Sequence, residues 1–119
     1  MSASVLLVDD DVAFRRLARD MLIAAGLHVV AEAGSVAAAT AAARELRPDS
    51  ALVDVGLPDG DGITLAAELT ALPWRPRVIL TSSDADAAGP DDVSRSGAAG
   101  FVPKHDLPEA PLLQMLGRG

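Results

Sequence analysis

The sequence predicts an α/β fold built on a sheet of five parallel strands. Short apolar runs alternate five times with longer segments of helical character, which is the pattern of β-α units joined by right-handed crossovers. Four of the apolar runs end abruptly at polar residues, as buried strands do where they reach a sheet edge. The chain has 119 residues, half of them hydrophobic, which fits one domain with one core.

The first strand and the first helix follow each other directly. Residues 4–8 are an apolar run, and either Asp10 or Asp11 caps a helix that extends to about Ala25. The helix has an apolar stripe at helical spacing, which predicts its core side and leaves Arg15 off the stripe. The residues of the stripe are Phe14, Leu17, Met21, Leu22 and Ala25. A glycine ends this helix, and the apolar run at residues 27–31 predicts the second strand.

The middle of the chain holds the second helix, the third strand and the third helix. Ser35 is a suitable N-cap for an alanine-rich helix over residues 36–46. Residues 50–54 form an apolar run that stops at an acid, and the Asp-Gly pairs after it predict a sharp loop. Leucines at helical spacing predict a third helix over residues 63–72.

Prolines interrupt the last third of the chain. Residues 77–81 and about 99–103 are predicted to be the fourth and fifth strands. Between them, Pro90 predicts the start of a helix of about two turns. A final helix is predicted over residues 107–116 with Asp106 as its cap, and its two prolines must be tolerated or must shorten it.

Composition and charge argue against several classes of function. The formal net charge of −7 argues against binding of nucleic acid or of an anionic membrane by this domain itself. The chain has no cysteine, which excludes disulfides, a thiolate nucleophile and a cysteine-bound metal. It also lacks an apolar stretch of membrane-spanning length and a signal-peptide pattern, so we expect a cytoplasmic protein.

Polar side chains of several kinds are predicted to meet at one edge of the sheet. Asp9 and Asp10 follow the first strand, and Asp54 ends the third. Thr81 ends the fourth strand, and Lys104 follows the fifth. Because the C-terminal ends of neighbouring parallel strands share one edge, where α/β proteins bind ligands, we expect these groups to share a cleft.

These residue types suit phosphoryl transfer to a carboxylate. Bringing Asp9 and Asp10 close to Asp54 is costly, because like charges disfavour ionisation of the carboxyl groups. A bound Mg²⁺ would remove that cost, and the backbone carbonyl of Gly56 could be a further ligand. Asp54 could then accept a phosphoryl group as an acyl phosphate, with the ammonium of Lys104 beside it. Taken singly, each residue has a simpler role, because Asp54 suits a turn, Asp10 a helix cap and Lys104 a solvated surface.

In this order and spacing the residues resemble the receiver domain of bacterial response regulators. The matching pieces are Val8-Asp9-Asp10, Asp54 with Pro58 and Asp61-Gly62, Thr81 after an apolar strand, and Phe101 three residues before Lys104. The resemblance covers roughly residues 4–116, and we expect a single receiver domain over residues 1–119.

The resemblance implies a flavodoxin-like, doubly wound sheet of order 2-1-3-4-5 with five helices. It implies that Asp54 takes a phosphoryl group from a sensor histidine kinase, so the domain is a phosphoacceptor rather than an enzyme. Thr81 and Lys104 would hold the phosphoryl group, and Thr81 and Phe101 would switch the face formed by the fourth helix, fifth strand and fifth helix. The Mg²⁺ ligands would be Asp9, Asp10, Asp54 and the Gly56 carbonyl.

The residue after Lys104 points to a subclass. His105 stands where many receivers have proline, which resembles receivers joined to LuxR-type helix-turn-helix domains. This feature favours a DNA-binding output domain outside this chain over a stand-alone receiver. Separately, the resemblance to receivers in general implies that a homodimer could form through the first or the fifth helix.

Three other interpretations remain open at this point. The main alternative is a non-phosphorylated interaction module on the same fold, which the proline-interrupted fourth and fifth helices favour. A phosphatase of the haloacid dehalogenase type would use the run from Asp9 to Ala13, although Ala13 stands where that motif has threonine. A flavin-binding flavodoxin would need a Ser/Thr-rich phosphate loop where this chain has three acids.

Overall fold

A five-stranded parallel sheet forms the centre of the protein in a computed structural model that describes residues 3–117. With its strands numbered in chain order, the sheet runs β2-β1-β3-β4-β5, and every neighbouring pair is parallel. Both the fold class and the predicted strand order are confirmed. The strands are β1 Ser4–Val8, β2 His28–Ala33, β3 Ser50–Asp54, β4 Arg77–Ser82 and β5 Gly100–Pro103.

Helices cover both faces of this sheet, which confirms the doubly wound arrangement. Leu22 of the first helix packs in one core cluster with Leu116 of the fifth, while Ala43 of the second packs in the other cluster with Leu65 of the third. Across residues 3–117, no helix is both long and apolar enough to span a membrane. The helices are α1 Val12–Ala24, α2 Val36–Leu46, α3 Gly62–Thr70, α4 Pro90–Ser96 and α5 Leu112–Leu116.

The central strands β1 and β3 are apolar on both faces because the sheet is buried on both sides there. Leu6 and Val8 of β1 pack into the cluster beneath α2 and α3, and Val5 and Leu7 pack into the cluster beneath α1 and α5. All four are at most 1% exposed. Side chains alternate between the faces of a strand, so a strand buried on both faces must be a continuous apolar run. Such a run ends only at the sheet edge, where polar residues become tolerable.

Near the start of the chain, the structure corrects the end of the second strand and decides between the two candidate caps of α1. The second strand extends to Ala33, two residues beyond its predicted end, because its ladder with β1 continues until Ala33 pairs with Val8. Of the two candidate caps of α1, the structure selects Asp11. Its carboxylate accepts hydrogen bonds from the backbone amides of Ala13 and Phe14.

The prediction of one helix over residues 107–116, capped by Asp106, is wrong. Lys104–Glu109 forms a 3₁₀-helix that includes Asp106, and in the described part of the chain after it only the five residues Leu112–Leu116 are α-helical. Pro111 occupies the N-cap of α5 with ψ 70°, outside the helical region. Because proline also has no amide hydrogen to donate, the chain cannot continue one helix through this position. The last helix is therefore much shorter than its apolar pattern predicts.

The loop after β3 is joined to the start of α2. Where the sequence predicts only a sharp loop, Gly56–Leu57 and Gly60–Asp61 form a short antiparallel ribbon. Asp59, at the tip of this ribbon, accepts hydrogen bonds from the amides of Val36 (2.7 Å) and Ala37 (3.1 Å). These bonds to the positive end of the helix hold the pKa of Asp59 below its ordinary value of 3.8.

Asp59→Ala should lower the urea midpoint of unfolding at neutral pH. A carboxyl whose pKa is lower when folded stabilises the protein above its unfolded pKa, and that contribution is lost as the pH falls through the folded pKa. The difference in midpoint between wild type and Asp59→Ala should therefore shrink as the pH drops below about 3.8. Asp86→Ala, which removes an exposed loop carboxylate, is the control. A midpoint difference that does not change with pH would contradict the capping role.

Candidate functional site

Three carboxylates and one ammonium meet at the C-terminal edge of the sheet. Asp9 and Asp10 follow β1, Asp54 ends β3 and Lys104 follows β5. One carboxylate oxygen from each of the three acids lies within 4.8 Å of the others. The Lys104 Nζ is 2.8 Å from Oδ2 of Asp9 and 3.5 Å from Oδ2 of Asp54. The acidic cluster (Asp9, Asp10 and Asp54) and Lys104 therefore form one site.

Asp9 is the most tightly held member of the acidic cluster. Asp9 is fully buried, and its Oδ1 accepts a hydrogen bond from the backbone amide of Asp11 at 2.8 Å. Its backbone carbonyl accepts a hydrogen bond from Nη1 of Arg15 at 2.7 Å. The Nε of Arg15 lies 3.4 Å from Oε1 of Glu32 on β2. The sequence pattern placed Arg15 only off the apolar stripe of α1, so its support of the site was missed.

The acidic cluster carries more negative charge than its surroundings neutralise. Burial, together with the negative charge of Asp9, raises the pKa of Asp54 above its ordinary value, although Lys104 opposes this. Burial alone would lower the pKa of Lys104, yet its hydrogen bond to Asp9 and the charge of Asp54 raise it overall. Three carboxylates against one ammonium leave two negative charges, which a divalent cation with a preference for oxygen ligands would balance. The donor set therefore fits a hard divalent cation.

The loop that follows Asp54 contributes backbone to the site. Gly56 is exposed, and its amide lies 3.4 Å from Oδ1 of Asp54 as a hydrogen-bond donor. Gly62, the first residue of α3, donates its amide to the carbonyl of Val55 at 2.8 Å. A Cβ on Gly62 would overlap the carbonyl of Asp54 and lie 2.7 Å from the Cα of Val55. The start of α3 therefore packs directly against the backbone that presents Asp54.

Thr81 lies next to the acidic cluster and Phe101 lies on the neighbouring strand β5. Among the described residues, neither side chain forms a hydrogen bond or ion pair with Asp54, and both have other partners. Thr81 is opposite Asp54 in the β3–β4 ladder and is 1% exposed. Its Oγ1 donates a hydrogen bond to the carbonyl of Val102 on β5 at 2.7 Å. Phe101 is half-buried and packs against the cluster beneath α2 and α3, as does Val93 of α4. The Thr81 hydroxyl is therefore engaged with β5 and not with Asp54.

Phe14 is a member of the site that the sequence did not reveal. Its place on the apolar stripe of α1 predicted a core residue, and its ring does pack against the cluster beneath α1 and α5. The Lys104 Nζ also lies over this ring, 4.1 Å from the ring centroid. A signal was available in the sequence, because Phe14 lies in the first turn of the helix that starts at the acidic edge.

Comparisons with known proteins agree with the geometry. The model of the response regulator receiver domain family matches residues 5–116 of the chain. The DNA-binding transcriptional activator DevR/DosR of Mycobacterium tuberculosis is 47% identical over 102 residues, which are 84% of this chain and 46% of that protein. The chemotaxis protein CheY of Bacillus subtilis is 33% identical over 104 residues, which are 87% of each protein.

Solved structures show the same fold. A two-component response regulator of the LuxR family from Aurantimonas sp. superposes with a TM-score of 0.82 at 26% sequence identity, covering 99% of this chain and 88% of that one. The chain spans less than half of the DevR/DosR activator but most of CheY. The likeness to the activator therefore concerns only the part of that protein that aligns.

Proposed function

The chain belongs to the response regulator receiver domain family, and on this basis we propose that Asp54 accepts a phosphoryl group in a two-component signalling pathway. One observation supports this most directly. Asp54 ends a buried strand at an acidic cluster, with the Lys104 ammonium 3.5 Å from its Oδ2. We further propose that the domain acts as a phosphoacceptor rather than as an enzyme on a separate substrate.

The proposed reaction transfers the phosphoryl group from a phosphohistidine to a carboxylate. An oxygen of Asp54 attacks the phosphorus, a P–O bond forms as the P–N bond breaks, and the imidazole leaves with a proton from water. The Lys104 ammonium would move from Asp54 to a phosphoryl oxygen. The Thr81 hydroxyl would stop donating its hydrogen bond to the Val102 carbonyl and would donate instead to another phosphoryl oxygen.

We propose that the divalent cation of this site is Mg²⁺. When bound, it would supply positive charge to the carboxylate and to the transferring phosphoryl group. The ligands would be Asp9, Asp10, Asp54 and the backbone carbonyl of Gly56. The charge excess of the acidic cluster and the exposure of Gly56 support this choice, because Mg²⁺ prefers a few carboxylates and retains several waters.

The same residues suggest how the signal leaves the site. If Thr81 turns toward the phosphoryl group, the Val102 carbonyl loses its hydrogen bond and the neighbouring Phe101 can repack against α4. The surface that would change consists of α4, β5 and the short α5. We propose that this surface controls a DNA-binding output domain outside this chain or a homodimer, as in the LuxR-type regulators that the chain resembles.

The proposed partner for phosphorylation is a sensor histidine kinase, and the proposed location is the cytoplasm. With a net charge of −7, the domain itself is not proposed to bind nucleic acid or membrane. We retain residues 1–119 as one receiver domain. Residues 1, 2, 118 and 119 of that range lie outside the described residues.

Phosphoryl uptake should require a divalent cation. Wild-type protein incubated with a small phosphodonor such as acetyl phosphate should gain one phosphoryl mass with Mg²⁺ and none with EDTA, because the acidic cluster repels the donor unless its charge is balanced. Intact-mass spectrometry measures the adduct. The absence of an adduct under both conditions would favour the alternative of a non-phosphorylated interaction module on the same fold.

A further inference from the structure

Within residues 3–117, the Lys104 ammonium forms two ion pairs and one contact with an uncharged aromatic ring. The ion-pair partners are the carboxylates of Asp9 and Asp54, and the ring is that of Phe14, with its centroid at 4.1 Å. The Lys104 side chain is only 15% exposed, so the ring takes a position that water would otherwise occupy. An ammonium over an aromatic face is attracted by the negative face of the ring, and most strongly where water is excluded.

We propose that Phe14 is a positioning residue that holds the Lys104 ammonium in place during phosphoryl transfer to Asp54. This inference rests on the proposed function. The two carboxylates cannot hold the ammonium throughout the reaction. Asp54 becomes the phosphoryl acceptor, and Asp9 would share its negative charge with a bound cation. The face of the Phe14 ring does not change during the reaction, so its attraction for the ammonium persists while Lys104 leaves Asp54.

The ring of Phe14 is itself well fixed. The backbone amide of Phe14 donates a hydrogen bond to the carboxylate of the N-cap Asp11 at 3.3 Å. The Phe14 side chain packs against the cluster that includes Leu107, which lies in the 3₁₀-helix that begins at Lys104. The ring therefore joins α1 to the segment that carries Lys104. Packing alone would be satisfied by leucine, but leucine presents no aromatic face to a cation.

Phe14→Leu should slow phosphoryl uptake from acetyl phosphate in saturating Mg²⁺ by roughly fivefold, as expected for loss of a partly desolvated cation–π contact. Phe14→Tyr, which retains the aromatic face, should restore most of the rate. The two substitutions should be indistinguishable in a Lys104→Ala background, because the ring would have no ammonium to hold. Val29→Ala, a substitution in the same core cluster but on β2, controls for a general loss of stability.

A spectroscopic measurement tests the contact separately from the rate. In the wild type and in Phe14→Tyr, the protons next to Nζ of Lys104 should be shifted upfield by the ring current, and Phe14→Leu should remove that shift. A Phe14→Leu variant as fast as wild type would overturn the inference and leave the proposed function intact. A wild type that takes up no phosphoryl group would overturn the proposed function, and the inference with it.

Discussion

Replacement of Asp54 by asparagine should abolish phosphoryl uptake from small phosphodonors. The amide has nearly the shape of the carboxylate but no anionic oxygen to form the P–O bond, so no acyl phosphate can arise. Intact-mass spectra of Asp54→Asn in Mg²⁺ and acetyl phosphate should show only the unmodified protein, under conditions in which wild type gains one phosphoryl group. This is the largest effect that we expect from any single substitution.

Asp11→Asn is the matched control for this loss. It makes the same chemical change two residues from Asp9, and asparagine still accepts hydrogen bonds at a helix N-cap. Asp11→Asn should therefore take up the phosphoryl group as wild type does. A phosphoryl adduct of normal yield on Asp54→Asn would show that another residue is the acceptor, and the assignment of Asp54 would have to be withdrawn.

Stability measurements can show that Asp54→Asn is folded. Because the pKa of Asp54 is higher in the folded protein than in the unfolded chain, folding takes up a proton between the two values. The stability of wild type therefore falls as the pH rises through that window, and the ionised carboxylate costs stability at neutral pH without metal. In EDTA at neutral pH, Asp54→Asn should unfold at a higher urea concentration than wild type. A lower midpoint would contradict this account of the site.

Gly62→Ala should destabilise the protein by about 3 kcal/mol, since overpacking against a backbone that cannot move costs about that much. The added Cβ would overlap the carbonyl of Asp54 and approach the Cα of Val55 at 2.7 Å. To make room, α3 must move away from β3, or the backbone around Asp54 must shift. Urea unfolding monitored by the fluorescence of Trp74, the only tryptophan, measures the loss.

Gly56→Ala provides the stability control for Gly62→Ala. It makes the same change six residues earlier, in the ribbon before α3, but a Cβ at Gly56 would have no atom within 4 Å outside its chain neighbours. Its unfolding free energy should stay within about 0.5 kcal/mol of wild type, as for surface substitutions. If Gly56→Ala and Gly62→Ala lose the same unfolding free energy, the close approach of α3 to Asp54 is not what restricts position 62 to glycine.

The sequence by itself determined the sheet and most of its helices. Buried strands are continuous apolar runs that end at polar residues, and helices carry caps and a repeating apolar stripe; all of these signals are local in the chain. The N-cap Ser35 and the start of α4 at Pro90 were predicted in this way and are confirmed. The acids and Lys104 were expected at one edge because parallel strands bring their C-terminal ends together.

Only the tertiary structure decided which residues touch within and around that edge. The ring of Phe14 against Lys104, the carboxylate of Asp59 on the amides of α2 and the Thr81 hydroxyl on Val102 each join separate elements of the chain. Local periodicity contains no information about such contacts, because they depend on how two elements approach each other in space. For the same reason it did not reveal that α3 packs against Asp54 so closely that only glycine fits at position 62.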